Sequence, residues 1–232
     1  MTAPVPYYDD GQVSLYLGDC REVTEWLAAD VLVTDPPYGR NWGRAATPSR
    51  RQRSYKQERP DAPKSIIGDR DTSVRDAALA LWGDHVAAVF GDLTIAPPAG
   101  NKLTLVYRKP GDAGSHGAMG GFRRDTEAVY LLGAWPSALG GRSSVLETGS
   151  RVQGSPSGAA ARYGHPHAKP VDVMETLISA CPPGVIADPF AGSGSTLVAA
   201  RNLGRQAIGV EIDEAYCEKA ALRLSQAVLT GI

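Results

Sequence analysis

Apolar residues fall into two kinds of pattern along this chain. Short β-rich runs recur at VSLYL (13–17), VLVT (31–34), VAAVF (86–90), KLTLVY (102–107), EAVYLL (127–132), GVIAD (184–188) and QAIGV (206–210). Runs of this length rich in Val, Leu, Ile and aromatics read as strands. Between or after several of them the spacing changes to that of a helix. SVRDAALALW offers Ser73 as a cap with Asp76 three residues on, and KPVDVMETLISA opens at Pro170 and repeats apolar residues at 171, 174, 177 and 178. STLVAARNLG closes on Gly204, a suitable residue just past a helix, and DEAYCEKAALRLSQAVL forms an amphipathic terminal helix after Asp213. The alternation predicts an α/β fold: seven strands in a mostly parallel sheet, helices on both faces, one domain over 1–232. Two segments break the pattern, a basic, Pro-containing loop at 39–65 and a Gly/Ser-rich loop at 134–164. Irregular loops of that length inside a compact domain are usually either functional or disordered.

Composition narrows the class. With 43% hydrophobic and 21% charged residues and no apolar run long enough for a bilayer, the chain reads as a globular protein with no membrane partner. The start, MTAPVPYYDDGQ, lacks the basic and apolar regions of an export signal, so a cytoplasmic location is expected. Cys20, Cys181 and Cys217 are too scattered for a zinc spacing, and reduced thiols and no metal are the expectation. The formal net charge of −1 hides a strong asymmetry. Residues 39–64 hold Arg40, Arg44, Arg50, Arg51, Arg53, Lys56, Arg59 and Lys64 against Glu58 and Asp61, a balance of 8 − 2 = +6, and the remainder carries −7. A basic segment on an acidic body is a candidate nucleic-acid footprint, although a charge run alone is more often a solvated loop.

Candidate chemistry starts at VIADPFAGSGSTLVAARNLG (185–204). A strand ends at Asp188, Gly192 and Gly194 make a tight turn, and a helix begins near Ser195. Glycines let the backbone approach a ligand, and the helix N-terminus presents free N–H groups to an anion. Many such turns serve packing only. Here QAIGVEID follows, placing Glu211 at the end of the next strand, about twenty residues on, where an acid can hold ribose hydroxyls. The G-x-G-x-x-G spacing and a Walker lysine are both missing, so NAD and ATP fit poorly.

DPFAGSGST followed by GVEID resembles the S-adenosylmethionine turn of the amino-methylating (N6-adenine/N4-cytosine) DNA methyltransferases. The resemblance implies a Rossmann-like methyltransferase sheet. It places Asp188 at the methionine amino group, Pro189 and Phe190 against the cofactor, Gly192, Gly194, Ser195 and Thr196 around its carboxylate end, Glu211 on the ribose and Ile212 on the adenine. YLGDC resembles the family segment whose acid, here Asp19 beside Cys20, meets the cofactor's adenine amine. HPHAKPVDVMETLI resembles the lysine-proline motif bordering the same pocket, with Lys169 as the matching base. This accounts for His165 and His167, which lack a third ligand for a metal.

A methyl donor needs an acceptor site beside it, and VLVTDPPYGR (31–40) has the chemistry for one. An exocyclic amine on a base is a poor nucleophile because its lone pair is conjugated into the ring. The Asp35 carboxylate, which also borders the cofactor, and the Pro36 carbonyl can bind its two N–H groups and aim the lone pair at the methyl carbon. Pro36 and Pro37 stiffen the turn, and Tyr38 offers a flat face for stacking. A duplex base must swing out to reach such a pocket. DPPY precedes the glycine turn, a circularly permuted order resembling the beta group of these enzymes.

The resemblance implies double-stranded DNA as partner. DPPY, as opposed to SPPY, favours adenine N6 over cytosine N4; a non-catalytic nucleic-acid-binding subunit is the alternative from another class. Arg40, Arg50, Arg51, Arg53, Lys56 and, in LVYRKPGD, Lys109 are candidate phosphate contacts. Trp42 and Tyr55 are candidates for stacking, and Asp92 for the rim. With little chain left for target recognition, a second copy in a homodimer is one source of further surface.

Overall fold

The computed structural model describes residues 4–41, 66–109, 119–137, 140–148 and 168–229. Among these, nine strands form one sheet, in the order β1-β2-β9-β8-β3-β4-β6-β5-β7. All seven expected strands are present: β2 (Val13–Leu17), β3 (Val31–Thr34), β4 (Ala87–Gly91), β5 (Leu103–Arg108), β6 (Thr126–Leu132), β8 (Ile186–Asp188) and β9 (Ala207–Glu211). The count of seven is corrected to nine by β1 (Tyr8–Asp9) and β7 (Val145–Glu147). β7 lies inside the segment expected to be a loop, where it pairs in parallel with β5. The central run β2-β9-β8-β3-β4 is parallel, β6 is antiparallel to both β4 and β5, and β1 is antiparallel to β2.

The central strands are buried on both faces, as parallel strands covered by helices must be. Alternate residues feed two cores. Val31, Val33, Ala88, Phe90 and Ile186 face Val173, Met174, Leu177 and Ile178 of α2 (Val171–Ala180), Leu197 of α3 (Ser195–Asn202), and Cys217, Ala220 and Leu224 of α4 (Glu214–Leu229). Leu32, Ala87, Val89 and Ala187 face Ala78 and Trp82 of α1 (Ser73–Trp82) and Trp26 of a 3-10 turn, Glu25–Ala28. The Trp26 and Trp82 rings stack with centroids 5.8 Å apart. Each fully buried Leu, Val or Ile contributes on the order of 1.5–3 kcal/mol.

Helix ends follow the sequence with one correction. Thr72, not Ser73, occupies the N-cap position of α1, and its hydroxyl donates to Asp76 at 2.8 Å. Asp71 accepts the Ser73 amide, which places Ser73 inside the first turn. Gly204 follows α3 in the left-handed region, at φ +68°. Asp213 opens α4 by accepting the Ala215 amide at 2.9 Å.

Topology decides where a site can form. From β3 the chain passes through α1 to β4, and from β8 through α3 to β9, so adjacent strands send their crossovers in opposite directions. The crevice at such a switch point, beyond the strands' carboxyl ends, is where open α/β sheets bind ligands.

Candidate active site

The carboxyl ends of β2, β9, β8 and β3 stand in order along one edge. They deliver Asp19, Glu211 with Ile212, Asp188 and Asp35 to a single strip. With neighbouring strands ~4.8 Å apart, the strip is ~14 Å long from the first acid to the last. At the switch point the Thr34 hydroxyl donates to Asp188 at 2.6 Å and ties β3 to β8.

The glycine turn is built as its sequence suggests. Gly194 has φ +79°, the N-cap conformation that starts α3, and an added Cβ would sit 3.0 Å from Ala220. The first amides of α3 have no intrahelical acceptor and point beyond the strand ends. Gly192 donates its amide to Glu211 Oε2 at 2.7 Å, and Asp213 donates to Oε1 at 2.8 Å. Glu211 thereby fixes the glycine turn and its own loop, and these two bonds leave a carboxylate further acceptor capacity. Burial pushes its carboxyl above the ordinary value. Arg223 of α4, which sequence reasoning missed, braces the turn through the Ser193 carbonyl and hydroxyl and the Ser195 hydroxyl.

Asp188 is buried, and that burial pushes its pKa up to about 7 against the bonds from Thr196, Thr34 and the Phe190 amide. A buried carboxyl in that condition is complementary to a cationic ligand group. Pro189 is buried, Phe190 half-buried against the second core, and Ile212 exposed beside Glu211. Asp19 pairs with Arg21, whose hydrogen bonds lower its pKa, and also accepts the Arg21 amide at 2.9 Å. Cys20 is buried; its carbonyl accepts the Trp26 indole N–H, and burial pushes its thiol up to about 12. The buried acid, the carboxylate at the end of the next strand and the open helix N-terminus together fit a ligand with a cationic amine, a carboxylate and ribose hydroxyls.

Asp35, at the β3 end of this strip, sits in a charged network. Lys169 donates to Oδ2 at 2.6 Å, and the Tyr38 hydroxyl donates to Oδ1 at 2.7 Å. Both donors also reach Glu127 Oε2 on β6, Lys169 at 3.2 Å and Tyr38 at 3.3 Å, and Lys109 pairs with Glu127 Oε1 at 2.6 Å. Burial alone would lower the Lys169 pKa, but Asp35 and Glu127 outweigh it and hold the ammonium above the ordinary lysine value. Glu127 is pulled down to about 2, burial being overcome by Lys169 and Lys109. Burial, then the two carboxylates, keep the Tyr38 phenol protonated and a donor. The Lys169 ammonium lies 5.4 Å from the Tyr38 ring centroid and 5.0 Å from that of Phe90. Pro36 is buried and Pro37 half-buried, so the turn bearing Asp35 is rigid on two counts.

Other expected site residues are placed as follows. Lys109 directs its ammonium to Glu127. Arg40 pairs with Asp92, which is buried and also accepts from the Thr94 amide and hydroxyl. Trp42, Arg50, Arg51, Arg53, Tyr55 and Lys56, with His165 and His167, lie outside the described residues. The two ends of the basic segment are nonetheless joined: the Gly39 and Arg40 amides donate to Asp69 Oδ1 at 2.8 and 3.2 Å, and Asn41 donates to the Asp69 carbonyl. Glu127 and Asp69 belong to no motif; the only signal for Glu127 was an acid opening an apolar strand whose neighbour closes on a lysine. Among the described residues no three His, Cys, Asp or Glu side chains cluster as a metal site, and no helix is long and apolar enough to cross a membrane.

Comparison with known proteins agrees with this geometry. The sequence model of the DNA methylase family N6_N4_Mtase matches residues 51–222. YubD of Escherichia coli K12 is 29% identical over 225 residues, covering 90% of this chain and 88% of that one. The type II methyltransferase M.ScaI of Streptomyces caespitosus is 45% identical over 75 residues, a stretch spanning 32% of this chain and 25% of M.ScaI. The crystal structure of M1.HpyAVI in complex with SAM shares the fold, with a TM-score of 0.60 at 19% identity over 91% of this chain and 98% of that one. With the family model matching most of its length, the chain belongs to the DNA methylase family.

Proposed function

We propose that the chain transfers the methyl group of S-adenosylmethionine to the exocyclic amine of a base flipped out of double-stranded DNA, with adenine N6 as the target. The observation that carries this reading is the adjacency of Asp35 and Asp188 at the switch point, linked through Thr34. One acid suits the amino group of the donor and the other the amine of the acceptor. The donor, when bound, supplies an electrophilic methyl group. Asp188 takes its amino group, the start of α3 its carboxylate, Glu211 its ribose, and Ile212, Asp19 and Phe190 its adenine end.

The chain's own residues then do three things. Asp35 and the Pro36 carbonyl accept the two N–H bonds of the base and aim its lone pair along the strip, so that orientation supplies much of the acceleration. Lys169 and Tyr38 hold both Asp35 oxygens in place while leaving each further acceptor capacity. Asp35, or water beside it, takes the proton the methylated amine gives up. An aspartate at the head of DPPY supports adenine. The segment 42–65, returned to the mouth of the site by Asp69, supplies phosphate contacts, and a second copy of the chain adds recognition surface. The enzyme is proposed to work in the cytoplasm.

The test is methyl incorporation from labelled S-adenosylmethionine into DNA, followed by nucleoside digestion. The expected product is N6-methyladenine, and N4-methylcytosine would reassign the target. Asp35→Ala should lose about 10²–10³-fold in turnover while binding the cofactor as before. Retained turnover would remove Asp35 from the mechanism. Sequencing DNA from a host expressing the chain gives the recognition site.

A further inference from the structure

The described part of the connection from β5 to β6 carries a tight turn, with Gly120 and Gly121 at its tip, that neither core nor reactive pocket uses. Met119 and Phe122 exchange backbone hydrogen bonds at 3.0 and 2.9 Å across Gly120 and Gly121, whose φ values are +58° and +83°. This is the tight two-residue turn that only glycines adopt freely, and it makes the tip stiff. Phe122 is 83% exposed and Met119 75% exposed, so two large apolar side chains stand together in water. Burial in this molecule is not what fixes them there.

The position of the tip gives it a use. Its stem closes where the Lys109 amide donates to the Asp125 carbonyl at 2.7 Å, and Lys109 and Glu127 belong to the network around Asp35. Phe122 and Glu127 are five positions apart, at most about 17 Å of extended chain. Arg123 and Arg124 follow the apolar pair, Arg123 lying 3.8 Å from Asp125 and Arg124 exposed. β6 runs antiparallel to β4, with Ala128 opposite Gly91, and β4 runs parallel to β3, so the chain leading into β6 stands at the sheet edge that carries Asp35. An apolar pair on a rigid tip, followed by cations, at the mouth of a pocket for an extruded base is complementary to one surface: stacked bases between two phosphate backbones. Apolar side chains wedged between base steps unstack them and open the duplex.

We infer that the Met119–Phe122 tip is a wedge that enters duplex DNA beside the target and fills the space the extruded base leaves, with Arg123 and Arg124 on the flanking phosphates. The inference rests on DNA being the substrate. Its chemical partner is the base stack of a duplex, and its role ends once the base is out of the helix.

The experiment uses the full chain and oligonucleotide duplexes carrying the site mapped in host DNA, with the target base either paired or set opposite an abasic position. A base without a partner is cheaper to extrude. Phe122→Ala should methylate the paired duplex about tenfold more slowly than the parent protein, and the abasic duplex at nearly the parental rate. Phe122→Trp, which keeps a flat apolar wedge, should retain the rate on both. Equal losses on the two duplexes, or no loss on either, overturn the wedge while leaving the methyltransferase reading intact. A Phe122→Ala protein that sediments differently from the parent without DNA shows that the tip seals a contact between copies, which also overturns it. If the parent protein methylates no DNA at all, both readings fall.

Discussion

Lys169 holds together two carboxylates that would otherwise repel, and most of the site's electrostatics depends on that ammonium. Lys169→Met should destabilise the fold by about 3–5 kcal/mol in urea unfolding, because Asp35 and Glu127 are left facing each other without their shared cation. Glu127 carries a pH signature. Its pKa is depressed from 4.5 to about 2, so it stabilises the fold above its ordinary value, and that contribution fades as pH falls from 4.5 towards 2. Unfolding of Glu127→Gln should be flatter with pH than the parent across that window. Asp188 has the opposite sign. With its pKa raised from 3.8 to about 7, the folded state holds the proton more tightly, and stability falls as pH rises between those values. A cationic ligand reverses the balance, so titration calorimetry should show S-adenosylmethionine binding tightening from about pH 5.5 to 8, and Asp188→Asn should lose that slope. DPPY alone reads as a Pro-rich turn ending a strand, and it becomes a candidate acceptor site only in company with the glycine turn of 188–196. Glu127 was not legible, because its meaning comes from the antiparallel β5–β6 register, which sets it opposite Tyr107 and beside Lys109.

At the scale of elements, what could be read was whatever had a period or a turn chemistry. The parallel strands announced themselves as apolar runs, and α2 as a 3–4 spacing after a proline. β1 and β7 have two and three residues, too few for any alternation, and both owe their existence to a neighbour's free edge. Thr72 displaced Ser73 as the cap because Asp71, a residue earlier, captures the Ser73 amide. The glycine turn shows how closely two elements are set against each other. Gly194→Ala would force an L residue to φ +79° and push against Ala220 of α4. A loss of about 1–2 kcal/mol in stability is expected, together with weaker cofactor binding from a displaced start of α3. Thermal unfolding with and without S-adenosylmethionine separates the two effects.

For the whole molecule, the decisive feature is the segregation of charge between an acidic body and one basic segment. The body holds its candidate chemistry on four adjacent parallel strand ends. The segment leaves after Asn41 and returns before Asp69, and Asp69 clips both ends with three hydrogen bonds. Gly39 makes the clip possible: its φ is +81°, and a Cβ there would strike the Asp71 backbone at 2.8 Å. Replacing residues 42–65 by a short Gly/Ser linker should therefore change stability by no more than about 1 kcal/mol, since closure entropy depends only weakly on length. DNA binding should lose salt dependence, the slope falling by about 0.9 for each phosphate contact removed. Fastened this way at its base, residues 42–65 can be exchanged for a longer or shorter stretch without moving the strand ends that carry Asp35 and Asp188.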